Sequence, residues 1–402
     1  MHKKVIASLS LISMLLLAGC SGGDVPKSQP TTTETADAQA VIDALPTELK
    51  SQYEGVANSI ESSPYSDFQK VEGPWKVCYS ESYQGNPWRV ALANEMKRLA
   101  DQYKKEGLVA SFQMSVSEND VARQNQQIRQ FVSQKCSVIM VVAGSSTALN
   151  QAIGTAKNAG IPVVTIAGSV TTTDAVNVDS NYAVLGADLA TSVSKVSDNV
   201  LMVKGIEGSP IAIQQNDGAK AVWSKTGTKI ASEVNGNWTP SVTKEAVLNA
   251  LTTSPGKIGA VWTTGSETAV ISKAFMDSKR PAPLITGSIS GDALGFWKEN
   301  PDYFKFEGVA LVPSWTAQTG FNVAMRIMDG KGPLLSTLEV PIPKVTMDDF
   351  STMWRSCMTT DASSIFPVAS KDPLPSELMD AYFKTPGKVG PFEYSQTPDP
   401  CK

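Results

Sequence analysis

Two stretches of this chain carry one pattern. Ser137-Val-Ile-Met-Val-Val-Ala-Gly-Ser-Ser-Thr-Ala-Leu149 and Ile258-Gly-Ala-Val-Trp-Thr-Thr-Gly-Ser-Glu-Thr-Ala-Val270 each run from a short apolar segment through Gly-Ser-x-Thr-Ala into residues with helical spacing. A second pair follows at the same offset: Ala159-Gly-Ile-Pro-Val-Val-Thr-Ile-Ala-Gly-Ser169 and Arg280-Pro-Ala-Pro-Leu-Ile-Thr-Gly-Ser288. A repeated supersecondary unit buries its apolar face only against further elements, so the repetition predicts two similar lobes. Apolar runs at 77–80, 108–112, 137–143, 162–167, 199–204, 229–234, 258–263, 283–286 and 308–312 are separated by helix-spaced segments such as 88–103, 121–132 and 148–159. This alternation predicts an α/β fold of two Rossmann-like lobes, each a parallel sheet covered on both faces. In each lobe the strand ends and helix starts lie on one rim, where open α/β sheets take their ligands. Lobes packed rim to rim line a single cleft, the usual place for a small molecule.

The amino terminus sets where such a protein works. Residues 1–19, MHKKVIASLSLISMLLLAG, pair Lys3 and Lys4 with an apolar stretch of signal-peptide length, too short for a membrane span. The stretch closes in Leu17-Ala18-Gly19-Cys20, which resembles the bacterial lipobox. That resemblance implies cleavage before Cys20 and acylation of it, so residues 1–19 are expected to be a lipoprotein signal peptide. The mature chain would then be held outside the cytoplasm at a membrane surface by acyl chains. Residues 20–45 open on polar, turn-forming sequence and are expected to be a flexible tether. Residues 46–75 read as an added helical segment, and 369–402, with repeated prolines, as a C-terminal extension.

Composition excludes several functions. Loss of residues 1–19 removes two of 35 basic residues and none of 39 acidic ones, so the mature charge is 33 − 39 = −6 and nucleic acid is not an expected partner. The only histidine, His2, leaves with that segment. No Ser-His-Asp or Cys-His triad and no histidine-ligated zinc site is then possible. Gly-x-Ser-x-Gly and phosphate-loop motifs are absent as well, which points to a binding protein without a cofactor rather than an enzyme. Besides Cys20 there are Cys78, Cys136, Cys357 and Cys401, with no C-x-x-C spacing, so disulfides are expected in an exported protein. Sequence alone does not fix their connectivity; the strand placement favours Cys78 with Cys136, and Cys357 with Cys401 would staple the tail.

Four local patterns carry a wider resemblance: the strand and Asn86-Pro87-Trp88 corner, Ala159-Gly-Ile-Pro-Val-Val-Thr-Ile166, Val178-Asp-Ser-Asn-Tyr182, and Gly236-Asn-Trp238 ahead of a helix. Over roughly residues 76–347 the chain resembles the periplasmic sugar-binding proteins of ABC transporters, of the ribose- and galactose-binding type. The resemblance implies a three-stranded hinge, a first lobe of 76–180 plus 315–337, and a second of 181–314 plus 338–368. It further implies a monomer that captures a sugar, polyol or related solute in the cleft and delivers it to permease and ATPase subunits. A ligand-sensing receptor of the same fold is the alternative. By the same resemblance Trp88 and Trp238 are stacking residues, Asn86 and Arg89 hydrogen-bond the solute, Gln215 stands near the family's arginine, and Ser314 near the glutamine of the last crossing. Other polar family positions fall on small residues here, at Ala143, Ala167, Gly265 and around Ser288–Ser290. Ser145, Ser169, Ser266, Ser288 and Glu267 are placed to compensate, Ser145 and Ser266 doubling as helix caps.

Overall fold

The computed structural model describes residues 32–56, 59–254, 256, 258–367, 372–389 and 399–401. The expected signal peptide and Cys20, the expected lipidation site, lie outside the described residues. The chain opens with helices α1 (Thr32–Ala44) and α2 (Thr47–Lys50). It then alternates through β1 (Trp75–Glu81), α3 (Pro87–Lys105), β2 (Val109–Val116), α4 (Val121–Ser133), β3 (Val138–Val141), α5 (Asn150–Asn158), β4 (Val163–Ile166) and β5 (Val176–Asp179). The second half follows as α6 (Tyr182–Ser194), β6 (Asn199–Lys204), α7 (Pro210–Thr226), β7 (Lys229–Asn235), α8 (Pro240–Thr253), β8 (Ala260–Trp262), α9 (Thr268–Asp277), β9 (Leu284–Ile285), α10 (Gly291–Glu299) and β10 (Glu307–Val309). Then come α11 (Pro313–Met328), β11 (Thr337–Glu339) and β12 (Lys344–Thr346).

The repeat in sequence is a repeat in topology. The first sheet has the order β11-β5-β4-β3-β1-β2, with every pairing parallel. The second has the order β7-β6-β8-β9, also parallel, and the isolated bridges Ile285–Phe306 and Ser288–Val309 bring β10 alongside β9. Strands β3 and β4, Val-Ile-Met-Val and Val-Val-Thr-Ile, are buried at every position, as a parallel strand covered on both faces must be. Trp262 is fully buried in the second lobe, against Trp223 and the cores of α6 and α7.

The chain passes from the first sheet toward the second after β5, returns between β10 and α11, and leaves again between β11 and β12, which pairs with β10. The middle crossing returns α11 to the first lobe, where it packs on α3 and β4 and stacks Phe321 on Tyr103 at 5.7 Å. The expected lobe boundary shifts by a turn of chain at this end. Helix α11 begins at Pro313, and β11 pairs with β5 (Leu338 with Val178, Glu339 with Asp179), so Leu338 and Glu339 belong to the first lobe rather than the second.

The flanking segments depart most from expectation. The stretch read as tether up to residue 45 is helical from Thr32, and Ala38, Ile42, Leu45 and Leu49, spaced four, three and four apart, enter the first lobe's core. Residues 46–75 form only short helical turns up to Tyr53, then an irregular run tied to the sheet edge by Ser63 N–H to the Leu334 carbonyl and Ser336 N–H to Glu61. At the other end Leu374, Met379, Tyr382, Phe383 and Val389 join the same core. Both additions grip the last hinge strand: Tyr53 Oη donates to the Thr337 carbonyl (2.8 Å) and Tyr382 Oη to the Glu339 carbonyl (2.7 Å). Disulfides join Cys78 to Cys136 and Cys357 to Cys401.

Candidate functional site

At the end of β1 the sequence Gly-Asn-Pro-Trp-Arg turns the chain into α3. Asn86 is extended, its Oδ1 accepts the Arg89 backbone N–H (2.9 Å), and Pro87 occupies the first helical position, where its missing N–H costs nothing. The cap commits the carboxamide oxygen and leaves the nitrogen as the group Asn86 can offer a ligand. Trp88 then points across the cleft, and its Nε1 donates to the backbone carbonyl of Leu311 on the middle crossing (2.9 Å). Its ring packs against the cores of both lobes.

Arg89 is 5% exposed and pairs with Glu81 (Nη1 to Oε1, 3.0 Å), with its guanidinium carbon 5.6 Å from the Trp88 ring centre. Glu81 also accepts from Tyr79 Oη. Burial pushes the Glu81 carboxyl upward, and the Arg89 charge and the Tyr79 hydrogen bond oppose the rise. Arg89 therefore brings donors to the cleft with its charge largely offset from behind.

The opposite wall belongs to the second lobe. Trp238 follows β7 in a turn where both Asn237 (φ 54°) and Trp238 (φ 50°) are left-handed, a conformation that costs of order 1–3 kcal/mol per non-glycine residue. What holds it is the fit of the indole on Gly205 and Gly265: a Cβ on either glycine would overlap the ring. Trp238 Nε1 donates to Thr264 Oγ1 (3.3 Å), which in turn donates to Gln215 Oε1 (2.7 Å), so the ring is fixed at its polar edge as well. Ser288 Oγ accepts the Leu311 N–H (3.1 Å), tying β9's exit to the middle crossing.

Between these walls lies a cavity of about 70 Å³. Of the ten residues expected at the site, Asn86, Trp88, Arg89, Gln215, Trp238, Ser266 and Ser288 line it. The other three do not. Ser145 Oγ instead accepts the N–H groups of Thr147 and Ala148, a turn that delays α5 to Asn150. Ser169 Oγ donates to Asp179 Oδ2. Ser314 lies in α11's first turn, its hydroxyl buried with no partner among the described residues. Tyr182, Ile211, Thr264 and Leu311 also line the cavity and were not expected from sequence. Tyr182 closes the Val178–Tyr182 pattern and opens α6, Thr264 lies within the second Gly-Ser-x-Thr-Ala repeat unit and Leu311 within the apolar run at 308–312, while Ile211 carries no local signal.

Among the described residues no three His, Cys, Asp or Glu side chains cluster to hold a metal ion, and no helix is long and apolar enough to cross a membrane. The family model for the periplasmic binding protein domain matches residues 77–332. Among solved structures, an ABC transporter solute binding protein from Thermobispora bispora DSM 43833 superposes with a TM-score of 0.63 at 22% identity, over 69% of this chain and 86% of that one. The arabinose ABC transporter binding protein from Shewanella sp. ANA-3, bound to α- and β-L-arabinofuranose, gives 0.61 at 19% identity, over 69% and 93%. A solute binding protein from Bacillus halodurans C-125 with bound myo-inositol gives 0.61 at 18%, over 69% and 96%. No curated protein sequence matches significantly. The match over residues 77–332 covers most of both lobes, and the chain belongs to the periplasmic binding protein domain family.

Proposed function

We propose that this protein is a lipid-anchored, extracytoplasmic receptor that captures a sugar, polyol or related small solute in its interlobe cleft and delivers it to the permease and ATPase of an ABC importer. The observation that carries this reading is one cavity bounded by a tryptophan from each lobe, with Asn86, Gln215, Ser266 and Ser288 beside them. Apolar sugar faces stack on aromatic rings, and buried hydroxyls need such polar neighbours. The structures with bound arabinofuranose and myo-inositol support that class of solute.

The cavity's size adds a mechanism. At about 70 Å³ it falls well below the roughly 300–1,000 Å³ of usual ligand pockets. A solute therefore enters only when the lobes part, and the three crossings supply the hinge. Capture is then a shift of the open–closed equilibrium by contacts that exist only when both walls touch the solute. Acylation at Cys20 keeps the receptor beside its membrane partners.

The test is a thermal-shift panel of glycerol, myo-inositol, L-arabinose, D-ribose and D-galactose. A solute at a hundred times its dissociation constant stabilises by about 2.7 kcal/mol, a melting shift of several degrees. Failure of every member to shift the transition would overturn the reading. Ser145→Ala and Ser314→Ala, neither facing the cavity, are expected to leave solute affinity within about twofold of wild type by titration calorimetry.

A further inference from the structure

Behind Gly265 lies a buried carboxyl group that no other described residue hydrogen-bonds. Glu267 is 1% exposed, directly precedes α9, and has no hydrogen-bond partner for either oxygen in any other described residue. A Cβ built on Gly265 would lie 2.8 Å from Glu267 Oε1 and closer still to Oε2 and to Cδ1 of Trp238. The carboxyl thus fills the place that a side chain at position 265 would take, beside the indole. Gly265 and Trp238 both line the cavity. A buried polar group without a partner is rare in a folded protein, and next to a binding cavity its natural partner is the ligand.

Among the described residues no basic side chain acts on Glu267. From α10 it meets Asp292, itself buried and accepting Ser290 Oγ and the Ala293 N–H; the basic residue lining the cavity, Arg89, is engaged by Glu81 on the other lobe. Burial raises the Glu267 carboxyl to about 8, its own backbone N–H opposing the rise and the nearby Asp292 adding to it, so at neutral pH it is a neutral acid with one O–H donor and a carbonyl acceptor. That pair matches a hydroxyl, which both accepts and donates.

We propose that Glu267 is a specificity-determining residue: its carboxyl does not line the closed cavity but lies against Gly265 and Trp238, which do, and hydrogen-bonds a solute hydroxyl across the bare face of Gly265. The proposal rests on the reading that the cleft takes a polyhydroxylated solute.

Calorimetric titration of the panel solutes from pH 6 to 9 into wild type, Glu267→Gln and Glu267→Leu tests it. Glu267→Gln keeps a neutral donor and acceptor and should bind within about threefold of wild type; Glu267→Leu keeps the volume without polar atoms and should lose about tenfold or more. Wild-type affinity should fall above pH about 8, as the carboxyl ionises, while Glu267→Gln stays flat. Melting curves at pH 7 show that Glu267→Leu is folded, since removing an unpartnered buried acid should not lower its transition. Wild-type affinity in Glu267→Leu, identical pH profiles for wild type and Glu267→Gln, or an amine-bearing solute that Glu267→Gln alone rejects would each overturn the proposal. If wild type binds and these variants are indifferent, only this inference fails; if wild type binds no panel solute, it fails together with the functional reading.

Discussion

Asp380→Ala is expected to destabilise the protein by roughly 3 kcal/mol, read as a lower urea midpoint with an unchanged slope. Arg326 lies in α11, in the heart of the first lobe, with no exposed side-chain surface. Its guanidinium meets Asp380 Oδ1 at 2.7 Å and stands 4.6 Å from the ring centre of Phe383. Both partners come from the C-terminal extension. Taking away the carboxylate leaves a buried cation with less to offset it, which costs about 3–5 kcal/mol for a fully buried pair; Asp380 is 30% exposed, which places the effect at the lower end. Replacing the pair together, Arg326→Met with Asp380→Ala, should recover most of the loss, because the charge that needed offsetting is gone. A single variant as stable as wild type would mean that the extension is not part of the lobe's core.

That dependence was not legible in the sequence. Prolines around 373–400 and the late Cys401 marked the segment as an appendage, and nothing local announced that Asp380 answers a buried arginine more than fifty residues earlier in the chain. The helix α1 left a clearer trace. Ala38, Ile42, Leu45 and Leu49 keep helical spacing, but Thr, Glu and Asp between them and the Pro-Thr-Thr-Thr ahead outweighed it. By contrast, the α/β class and the two-lobe plan were legible because the duplicated Gly-Ser-x-Thr-Ala units repeat the same strand order, β2-β1-β3-β4-β5 matching β7-β6-β8-β9 with β10.

At the site the split follows the kind of contact. Trp88 and Trp238 stand at turns with Pro87 and Gly236 beside them, so their place at strand ends was visible. Leu311 serves through its carbonyl and N–H, which any residue has, and so leaves no sign. Thr264 reads as the end of an apolar strand until Trp238 and Gln215 are brought to it. The small residue at 265, which looked like the loss of a polar contact, makes room for the indole and for Glu267.

Trp238→Ala is expected to weaken solute binding by roughly 30- to 1,000-fold, the 2–4 kcal/mol that truncating a buried central aromatic removes. The ring is held against Gly205 and Gly265 and by Thr264 at its edge, so stacking on a solute would cost it no further freedom, and alanine would leave both glycine backbones bare. Trp88→Ala should give a loss of similar size by a partly different route. It removes a wall and also the Nε1 bond to the Leu311 carbonyl, a tie between the first lobe and the middle crossing, and so shifts the lobes toward the open arrangement. Trp88→Phe separates the two effects, keeping an aromatic wall while deleting the donor. It should bind more weakly than wild type by about tenfold or less, with a larger radius of gyration by X-ray scattering in the absence of solute. Alanine variants that both bind within about threefold of wild type would show that neither tryptophan stacks on the solute, and the cleft would then have to recognise its ligand through polar contacts alone.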